Sequence, residues 1–373
     1  MRIVYMLTSL GMGGAEKQVV ALAARMVERG HTVALISLMP RKPEEWPTAV
    51  EVLYLDIHKT PWSVWAGLIR ARSWMREFRP EIVHSHSFHA NMLARLLALL
   101  DPRIVVISTI HNVYEGGGAR MLAYRLKNRL CRRTVAVSQA AADRFMRVGA
   151  VPAGRCAVIL NGIDIHEFSP DSERRARLRQ QMISQHSFVW LASGRIAAAK
   201  DYPNLMRALV ILRATHSRAE VWIAGGWTGG AMEQLKELPE FKQTESMVRW
   251  LGLRRDLPAL LDVADAFVSS SAWEGMPLAV GEAMAMGKQV VVTDVGGVRE
   301  LVGDEGSVVP AHDPVALAEA MRDVMETSLS VGVARGQKAR ERICERFNMD
   351  AKPVEWENFY RDAVNGAGST CGG

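Results

Sequence analysis

The sequence predicts an α/β protein of two doubly wound domains, each with a parallel sheet between layers of helices. The chain has 373 residues, more than one ordinary domain of about 100–200 residues. Short β-rich apolar runs alternate with helical patterns, which is typical of repeated strand–helix–strand units. This alternation stops around residues 158–170 and then starts again. We therefore expect two domains of similar size, at 1–168 and 169–349.

The first domain begins with the apolar run from Ile3 to Leu7, whose continuity predicts a buried strand. A helical pattern follows Gly13 and Gly14 and stops at Gly30. The same patterns predict further strands at 32–38, 50–55, 82–85, 104–109 and 135–138. Helices are predicted at 14–29, 62–78, 89–100, 119–131 and 139–148.

The segments Asn161-Gly162-Ile163-Asp164 and Phe168-Ser169-Pro170 look like a turn and a linker. Beyond them, strands are predicted at 188–193, 220–224, 266–270, 289–293 and 307–309. Helices are predicted at 174–181, 202–215, 257–263, 277–286, 314–327 and 332–347. The small, polar tail at 365–373 is expected to be flexible. Since ligands bind beyond the carboxyl ends of parallel strands, two facing sheets would form an interdomain cleft.

Composition excludes several classes of protein. A hydrophobic fraction of 49% is too high for a largely disordered chain. The four cysteines are far apart and form no C-x-x-C pair, which argues against a disulfide scaffold or a zinc site and fits a reducing compartment. No stretch reaches the roughly 20 apolar residues of a spanning helix. The apolar run at the N-terminus is too short for a signal peptide, so we expect a cytoplasmic protein.

A glycine-rich loop follows the first strand. Gly11, Gly13 and Gly14 would let the backbone approach a phosphate at the start of a helix. A dinucleotide fingerprint G-x-G-x-x-G fails here because Glu16 holds the third glycine position. A tight turn without any ligand stays open as the alternative.

The second domain opens in a parallel way, since Arg195 and Lys200 come just after its first strand. Two cations at a strand end can neutralise a diphosphate, with arginine as a fork and lysine as a point charge. The alternative is an exposed basic loop that interacts only with solvent ions.

The most informative segment runs from Ser269 to Gly287 and follows a strand. Glu274 lies before the predicted helix and Glu282 within it, and the backbone N–H groups from Leu278 to Val280 suit an anion. Two carboxylates beside a phosphate site suggest hydrogen bonds to sugar hydroxyls. The alternative is one capping glutamate and one surface glutamate.

Histidines gather at strand ends in the first half. His84 and His86 end one predicted strand, and His111 and Asn112 follow another. A lone histidine is usually structural, but three at strand ends favour a place in the cleft. The metal interpretation is weak, because the chain has neither H-E-x-x-H nor D-x-D.

These motifs, in this order, resemble the family 4 glycosyltransferases, which are retaining sugar-nucleotide enzymes with the GT-B fold of two facing Rossmann-like domains. The resemblance covers nearly the whole chain. It is carried by the glycine loop, the histidine strand ends, the Arg195/Lys200 pair and Glu274 followed eight residues later by Glu282. The segments Asn161-Gly162-Ile163-Asp164, Asp256-Leu257-Pro258 and Gly296-Gly297-Val298-Arg299-Glu300 complete it.

The resemblance implies a role for each position. Arg195 and Lys200 would hold the donor diphosphate, Glu274 the transferred sugar and Glu282 the ribose. The last helix, about 350–364, would cross back to the first domain. The remaining donor-side residues would be Gly13, Gly14, Arg254, Gly275, Met276, Leu278, Ala279 and Val280. His111 would lie near the reacting centre, with His84, His86 and Asn112 as candidates for the acceptor side.

The implied reaction transfers a sugar from a nucleotide-sugar, with UDP-sugar favoured and GDP-sugar possible, to a glycan acceptor. Arg195, Lys200 and helix N-termini would stabilise the leaving diphosphate. Neither a metal nor another cofactor is expected. The family's retention is attributed to same-face attack assisted by the leaving phosphate, which needs no enzymatic nucleophile.

Charge is uneven along the chain. Residues 1–165 hold 22 Lys and Arg against 12 Asp and Glu, whereas residues 166–373 hold 24 against 28. Two basic stretches, 62–79 with three tryptophans and 120–133 with six cations, suit an anionic membrane surface. The alternative is that their apolar faces pack on the sheet. A lipid-linked acceptor is favoured, and nucleic acid is not expected as a partner.

Two further functions stay open. A sugar-nucleotide epimerase on a similar fold would need no acceptor. A noncatalytic subunit would bind the nucleotide-sugar without transfer, although intact Arg195, Lys200, Glu274 and Glu282 argue against such decay.

Overall fold

The structure is a computed structural model, and it describes residues 1–58, 60–183, 187–227 and 229–366. Backbone contacts divide the chain into two units. Unit 1 comprises Met1–Gly162 with Met349–Gly373, and unit 2 comprises Ile163–Asn348. Most of the tail expected to be flexible, residues 367–373, lies outside the described residues.

Unit 1 is built on a seven-stranded parallel sheet with strand order β3-β2-β1-β4-β5-β6-β7. Its strands are β1 Arg2–Leu7, β2 Thr32–Ser37, β3 Glu51–Tyr54, β4 Ile82–His86, β5 Val105–Ile110, β6 Arg133–Ala136 and β7 Cys156–Val158. Its first five helices are α1 Gly14–Glu28, α2 Pro61–Phe78, α3 Phe88–Leu100, α4 Gly118–Leu126 and α5 Gln139–Arg147.

Unit 2 repeats the design with a six-stranded parallel sheet in the order β10-β9-β8-β11-β12-β13. The strands are β8 Phe188–Ser193, β9 Ala219–Ala224, β10 Val248–Gly252, β11 Ala266–Ser269, β12 Gln289–Thr293 and β13 Ser307–Val309. The helices are α6 Ser172–Met182, α7 Tyr202–Arg213, α8 Ala231–Lys236, α9 Pro239–Thr244, α10 Leu257–Val263, α11 Leu278–Ala285, α12 Val298–Val302, α13 Pro314–Glu326 and α14 Leu329–Arg346.

The last helix, α15 Lys352–Asn365, belongs to unit 1 although it follows unit 2 in the chain. Its Trp356, Tyr360 and Ala363 are buried in the same core as β1 and α1. The side chain of Tyr360 bonds with the His84 ring, with 2.7 Å between Oη and Nδ1. The predicted return of the C-terminal helix to the first half of the chain is therefore present.

Both strand orders change direction at the first strand of the unit, so the carboxyl ends of β1 and β4 in unit 1, and of β8 and β11 in unit 2, flank a switch point. The prediction of two doubly wound parallel sheets is confirmed.

The boundaries differ from the prediction by a few residues. The backbone N–H of Ile163 donates to the Phe347 carbonyl (2.6 Å), and Phe168 is buried with its carbonyl bonded to Arg340. These contacts place 163–168 in unit 2 rather than in the first domain. Asn365 is the last residue of α15, so the tail begins one residue later than expected.

Several elements were not predicted: the edge strands β7 and β10 and the short helices α8, α9 and α12. The predicted helix at 119–131 is in fact α4 followed by a 3₁₀ turn at Asn128–Leu130. Helix α14 begins at Leu329, three residues before the predicted start at Gly332. No helix in the described part of the chain is long and apolar enough to cross a membrane.

Candidate active site

Lys200 and Glu274 meet at the carboxyl ends of β8 and β11. The Lys200 Nζ lies 2.5 Å from Glu274 Oε1, and both side chains are mostly buried. The hydroxyl of Ser271 donates to the same oxygen at 2.8 Å. Two donors therefore hold one carboxylate oxygen of Glu274. The sequence analysis placed both charges in the site but predicted neither their contact nor the role of Ser271.

Gly194 has no side chain, and this leaves room for the Lys200 side chain to reach Glu274. A Cβ at residue 194 would lie 2.5 Å from the Lys200 Cε, so a larger residue would displace the lysine. The Tyr202 hydroxyl donates to the Gly194 carbonyl at 2.8 Å and fixes the same loop. Burial, followed by the Glu274 charge, raises the pKa of Tyr202, which stays protonated and can donate.

The loops after β8 and β11 are joined by hydrogen bonds. The Ser270 hydroxyl donates to the Lys200 carbonyl (2.9 Å), and the Ala272 N–H donates to the Ala199 carbonyl (2.8 Å). The Thr293 hydroxyl, from the end of β12, donates to the Ser271 carbonyl at 2.6 Å. The backbone beneath the ion pair is thus fixed from three strand ends.

Gly296 and Gly297 pack directly against the backbone of Glu274 and Gly275. Gly296 has a φ of +55°, and a Cβ there would overlap the Glu274 carbonyl oxygen. The Gly297 N–H donates to the Gly275 carbonyl at 2.7 Å. Only glycine fits at 296, which gives this sequence motif a structural reason.

Helix α11 begins at Leu278, with Pro277 preceding the helix rather than opening it. The N–H groups of Leu278 and Ala279 have no acceptor within the helix and suit an anion. The N–H of Val280 instead donates to the Pro277 carbonyl at 3.2 Å, so its predicted role as a free donor is wrong.

Glu282 is only 6% exposed, on the second turn of α11. Gly275 and Met276 are buried in the turn between Glu274 and this helix. A surface position for Glu282, the alternative weighed from the sequence, is excluded by this burial.

Arg195 and Arg254 differ from Lys200 in their surroundings. Arg195 is exposed beyond β8, and its side chain has no hydrogen-bond or ion-pair partner in the described ranges. Arg254 follows β10 and donates to the Asp256 carboxylate from Nε and Nη2, at 2.8 and 2.5 Å. This pairing lowers the pKa of Asp256. Arg195 is therefore open to a ligand, whereas the Arg254 side chain is engaged.

In unit 1, Gly13 precedes α1 and Gly14 opens it. The Trp46 indole donates to the Gly13 carbonyl (3.2 Å), which ties the loop to the following segment. A Cβ at residue 13 would overlap the Glu16 carboxylate, so glycine lets Glu16 fold back over the helix N-terminus. The residue that broke the dinucleotide fingerprint thus has its carboxylate beside Gly13, just before the start of α1.

His84 does not face a ligand, which corrects its place among the acceptor-side candidates. Its ring is fully buried, with Nδ1 2.7 Å from the Tyr360 hydroxyl and Nε2 2.7 Å from the Thr109 hydroxyl. Burial, followed by the His111 charge, keeps its pKa well below the ordinary value. His84 is a neutral core residue that connects β4 with α15.

His86 and His111 form a hydrogen-bonded pair, with 2.9 Å between Nδ1 and Nε2. Burial lowers the pKa of His111 to about 4, so both rings are neutral near pH 7. Together with Thr109 they line a cavity of about 10 Å³, room for roughly one water molecule. This pair, rather than His84, lies at the carboxyl end of the first sheet.

The loop after His111 is held by Glu115, which the sequence analysis did not identify. Glu115 Oε1 accepts from the His111 N–H (3.2 Å), and Oε2 accepts from the Tyr124 hydroxyl (2.7 Å). Asn112 uses its side-chain oxygen within the same loop, accepting from the Tyr114 N–H at 3.2 Å. Asn112 therefore shapes the loop, with its amide nitrogen left for other contacts.

Clusters of three or more His, Cys, Asp or Glu that could hold a metal ion do not occur among the described residues.

Two family models match the chain, and together they span both units. The model described as Glycosyltransferase Family 4 matches residues 12–167, and the model described as Glycosyl transferases group 1 matches residues 187–327. The chain belongs to the family 4 glycosyltransferases. The resemblance predicted from its motifs is confirmed.

Relatives of the chain are named as glycosyltransferases. The UDP-Gal:alpha-D-GlcNAc-diphosphoundecaprenol alpha-1,3-galactosyltransferase of Escherichia coli is 24% identical and aligns with 80% of this chain and 79% of its own. The D-inositol 3-phosphate glycosyltransferase of Salinispora tropica is 29% identical over 80% of this chain and 67% of its own. These comparisons give no support to the epimerase alternative.

Solved glycosyltransferase structures share the fold. Anabaena Alr3699/HepE, crystallised with UDP and glucose, has a TM-score of 0.84 at 21% identity and covers 96% of this chain and 99% of its own. Sucrose-phosphate synthase from Thermosynechococcus elongatus has a TM-score of 0.85 at 18% identity, covering 98% and 100%. The predicted GT-B fold is confirmed.

Proposed function

We propose that this glycosyltransferase moves a sugar from a UDP-sugar to a lipid-linked glycan with retention of configuration. The observation that carries the proposal is the contact between Lys200 and Glu274 at the end of β8. A cation and a carboxylate are held together where a diphosphate-sugar would bind. The donor is taken as a UDP-sugar because the Escherichia coli relative is named for UDP-Gal.

The cations of unit 2 would stabilise the leaving diphosphate. Breaking the anomeric C–O bond develops negative charge on the phosphate, and preorganised positive groups lower that cost. Lys200 is fixed by its bond to Glu274, and Arg195 is free to move onto the phosphates. The N–H groups of Leu278 and Ala279 add the positive end of a helix. We propose that these groups take the place of a metal ion when the diphosphate leaves.

Glu274 would orient the transferred sugar. Lys200 and Ser271 share Oε1, which leaves Oε2 to accept from sugar hydroxyls. Glu282, inside α11, would contact the ribose. The same-face mechanism assigns no nucleophilic role to either carboxylate, since the acceptor hydroxyl attacks as the phosphate leaves and the phosphate oxygen takes its proton.

His111 would act near the sugar as a neutral hydrogen-bonding group. Its pKa of about 4 means that it carries no charge near pH 7. The bond between His86 Nδ1 and His111 Nε2 links the tautomers of the two rings, because one nitrogen donates and the other accepts. Transfer should therefore show no loss attributable to His111 titration between about pH 6 and 8.

The catalytic assignment is tested with Lys200→Ala and Glu274→Gln. Each removes one half of the ion pair, so we expect a fall in kcat of about 100-fold or more, with the fold intact by circular dichroism. Lys236→Ala, an exposed lysine on α8, serves as the matched control. Wild-type turnover in either site variant would refute the assignment. Transfer that is abolished by EDTA and restored by a divalent metal would refute metal independence.

The donor is tested by thermal unfolding with UDP- and GDP-sugars, since a ligand that binds only the folded state raises Tm. We expect UDP-sugars to raise Tm and Lys200→Ala to abolish the shift. A larger shift with GDP-sugars would overturn the choice of base. Binding without any transfer to lipid-linked acceptors would favour the noncatalytic alternative.

A lipid-linked acceptor would bring the protein to an anionic membrane from the cytoplasmic side. Helix α2 supports this part of the proposal, because Trp62 and Trp65 are 78% and 54% exposed and Ile69 is also exposed. These three side chains lie at positions i, i+3 and i+7 and so form one exposed stripe on α2, which Arg76 extends. Leu68 and Met75, on the other face of the helix, are buried in the core. Tryptophan with arginine suits a membrane interface.

The membrane part is tested by co-sedimentation with anionic vesicles at low salt. Replacing Trp62 and Trp65 together by serine should weaken binding at least about tenfold, because two large apolar side chains no longer enter the interface. Trp46→Phe, away from α2, is the control. Equal binding of the double variant and the wild type would exclude this surface.

A further inference from the structure

An arginine-rich pocket lies at the opposite edge of the unit 1 sheet from the histidines. Its volume is about 520 Å³, and Arg125, Arg129 and Arg155 line it together with Asn128 and Met146. We call it the arginine pocket. Arg129 and Arg155 come just before β6 and β7, so the pocket opens at the amino ends of these strands. The His86–His111 pair, by contrast, lies at the carboxyl ends of β4 and β5.

The charge of the arginine pocket is not neutralised within the protein. Arg125 and Arg129 are exposed and have no hydrogen-bond or ion-pair partner in the part of the chain that the structure describes. The guanidinium of Arg155 donates to the Asn128 carbonyl at 3.0 Å, its one side-chain bond among the described residues. Within the described ranges, no acidic side chain lines the pocket. Three guanidinium groups converge on one open space with most of their donors unused.

Helix ends offer a competing explanation that falls short. Helices α4 and α5 both end at this edge, and a cation near a helix C-terminus interacts favourably with its dipole. Arg125 in the last turn of α4 and Arg147 in the last turn of α5 satisfy that preference. Arg129 and Arg155 lie in neither helix, so they remain unexplained by it.

The surface beside the arginine pocket is apolar. Leu122 and Leu126, one turn apart on α4, are 53% and 72% exposed. A phosphoryl group attached to a hydrophobic chain could use both features, whereas a free phosphate would use the pocket alone.

We propose that the arginine pocket binds a phosphoryl group, supplied either by a lipid headgroup or by a free phosphate compound. Arginine recognises phosphate through paired N–H donors, and three arginines around one pocket provide that geometry. The lipid source rests on the membrane contact proposed above, but binding of a free phosphate does not.

The experiment compares the full chain with Arg125→Gln/Arg129→Gln. Binding of inorganic phosphate is measured by calorimetry. Binding to phosphatidylcholine vesicles with and without phosphatidic acid is measured by co-sedimentation. Arg144→Gln, an exposed arginine on α5 outside the pocket, is the control for bulk charge. The double variant should keep the rise in Tm that UDP-sugars cause, so a loss of phosphate binding cannot be attributed to a damaged donor site.

We expect the double variant to lose affinity about tenfold or more for phosphate or for phosphatidic acid vesicles, with Arg144→Gln near wild type. Loss for vesicles identifies a lipid headgroup, and loss for phosphate alone identifies a free compound. Unchanged binding in both assays, or an equal loss in the control, overturns the proposal.

Discussion

At the scale of single residues, Glu115 is a half-buried carboxylate among hydrogen-bond donors. Burial raises its pKa to about 7, although the bond from Tyr124 and the nearby Arg120 and Arg95 oppose that shift. Arg95 is itself fully buried, with its guanidinium 4.9 Å from the centre of the Tyr124 ring. The Glu115 carboxylate accepts from the His111 backbone N–H, so the protonation state of Glu115 bears on the geometry of the loop after β5.

Glu115 should make stability depend on pH. Its folded pKa lies above the ordinary value of about 4.3, so the folded state binds more protons between about pH 4.3 and 7. Stability therefore falls as pH rises through that window. Glu115→Gln should remove this loss and raise the free energy of unfolding by about 1–2 kcal/mol at about pH 8.

The measurement is thermal unfolding at about pH 5 and pH 8, with the exposed Glu51→Gln as control. A pH dependence of Tm in Glu115→Gln equal to that of the wild type would contradict the assignment.

At the residue scale, the sequence predicted positions correctly where the residue follows closely on a strand. Lys200 and Glu274 each follow a strand within a few residues, so topology alone brings them to one edge. Glu115 was missed, and so were the contacts of Ser271 and Tyr360, because their partners are set by packing that no local spacing reveals. Tyr360 was expected only as a residue of the returning last helix. Tyr360 meets His84 across most of the length of the chain. His84 was misplaced for the same reason, since its neighbour β5 supplies Thr109 and α15 covers it.

At the scale of elements, α15 is fastened to unit 1 by Glu357. Its carboxylate accepts from Arg29 at 2.5 and 3.0 Å and lies 2.8 Å from His31 Nε2. The Arg29 hydrogen bonds are the main reason that the pKa of Glu357 falls to about 2. The stabilisation is present above about pH 4.3 and is lost as pH falls toward 2.

Glu357→Gln should lower the free energy of unfolding by about 2 kcal/mol near neutral pH, because it leaves Arg29 and His31 without a carboxylate. Denaturant unfolding measures the change. Asp350→Asn is a matched control, since Asp350 pairs with Arg25 of α1 in a more exposed bridge and should cost about 0.5 kcal/mol or less. Equal effects of the two variants would show that burial of the Glu357 bridge is unimportant.

The strands that sequence analysis missed, β7 and β10, are short and lie at the edges of their sheets. Strand β7 has three residues and pairs on one side only. Strand β10 has a register irregularity after Trp250. A long buried strand such as β1 is recognisable by its continuous apolar run. An edge strand pairs with one neighbour only and carries a weaker apolar pattern, so its sequence alone does not reveal it.

At the scale of the whole molecule, the chain leaves unit 1 at Gly162 and returns to it at Met349. A chain that ends at Asn348 should therefore fail to complete unit 1, since buried Trp356 and Tyr360 each contribute about 3–5 kcal/mol. Hydrogen exchange should show lost protection in β1, β4 and β5 but retained protection in β8 and β11.

A chain that ends at Gly366 is the control and should keep protection in both sheets. Undiminished protection of β1 in the chain ending at Asn348 would show that α15 is dispensable.

The return of α15 has a consequence for the order of synthesis. The ribosome releases the whole seven-stranded sheet, and then all of unit 2, before the residues that cover Tyr5 and His84 exist. During that interval the apolar face left for Trp356 and Tyr360 stays open to water and to other chains. The nascent protein thus has a period of exposure that ends only with its last helix.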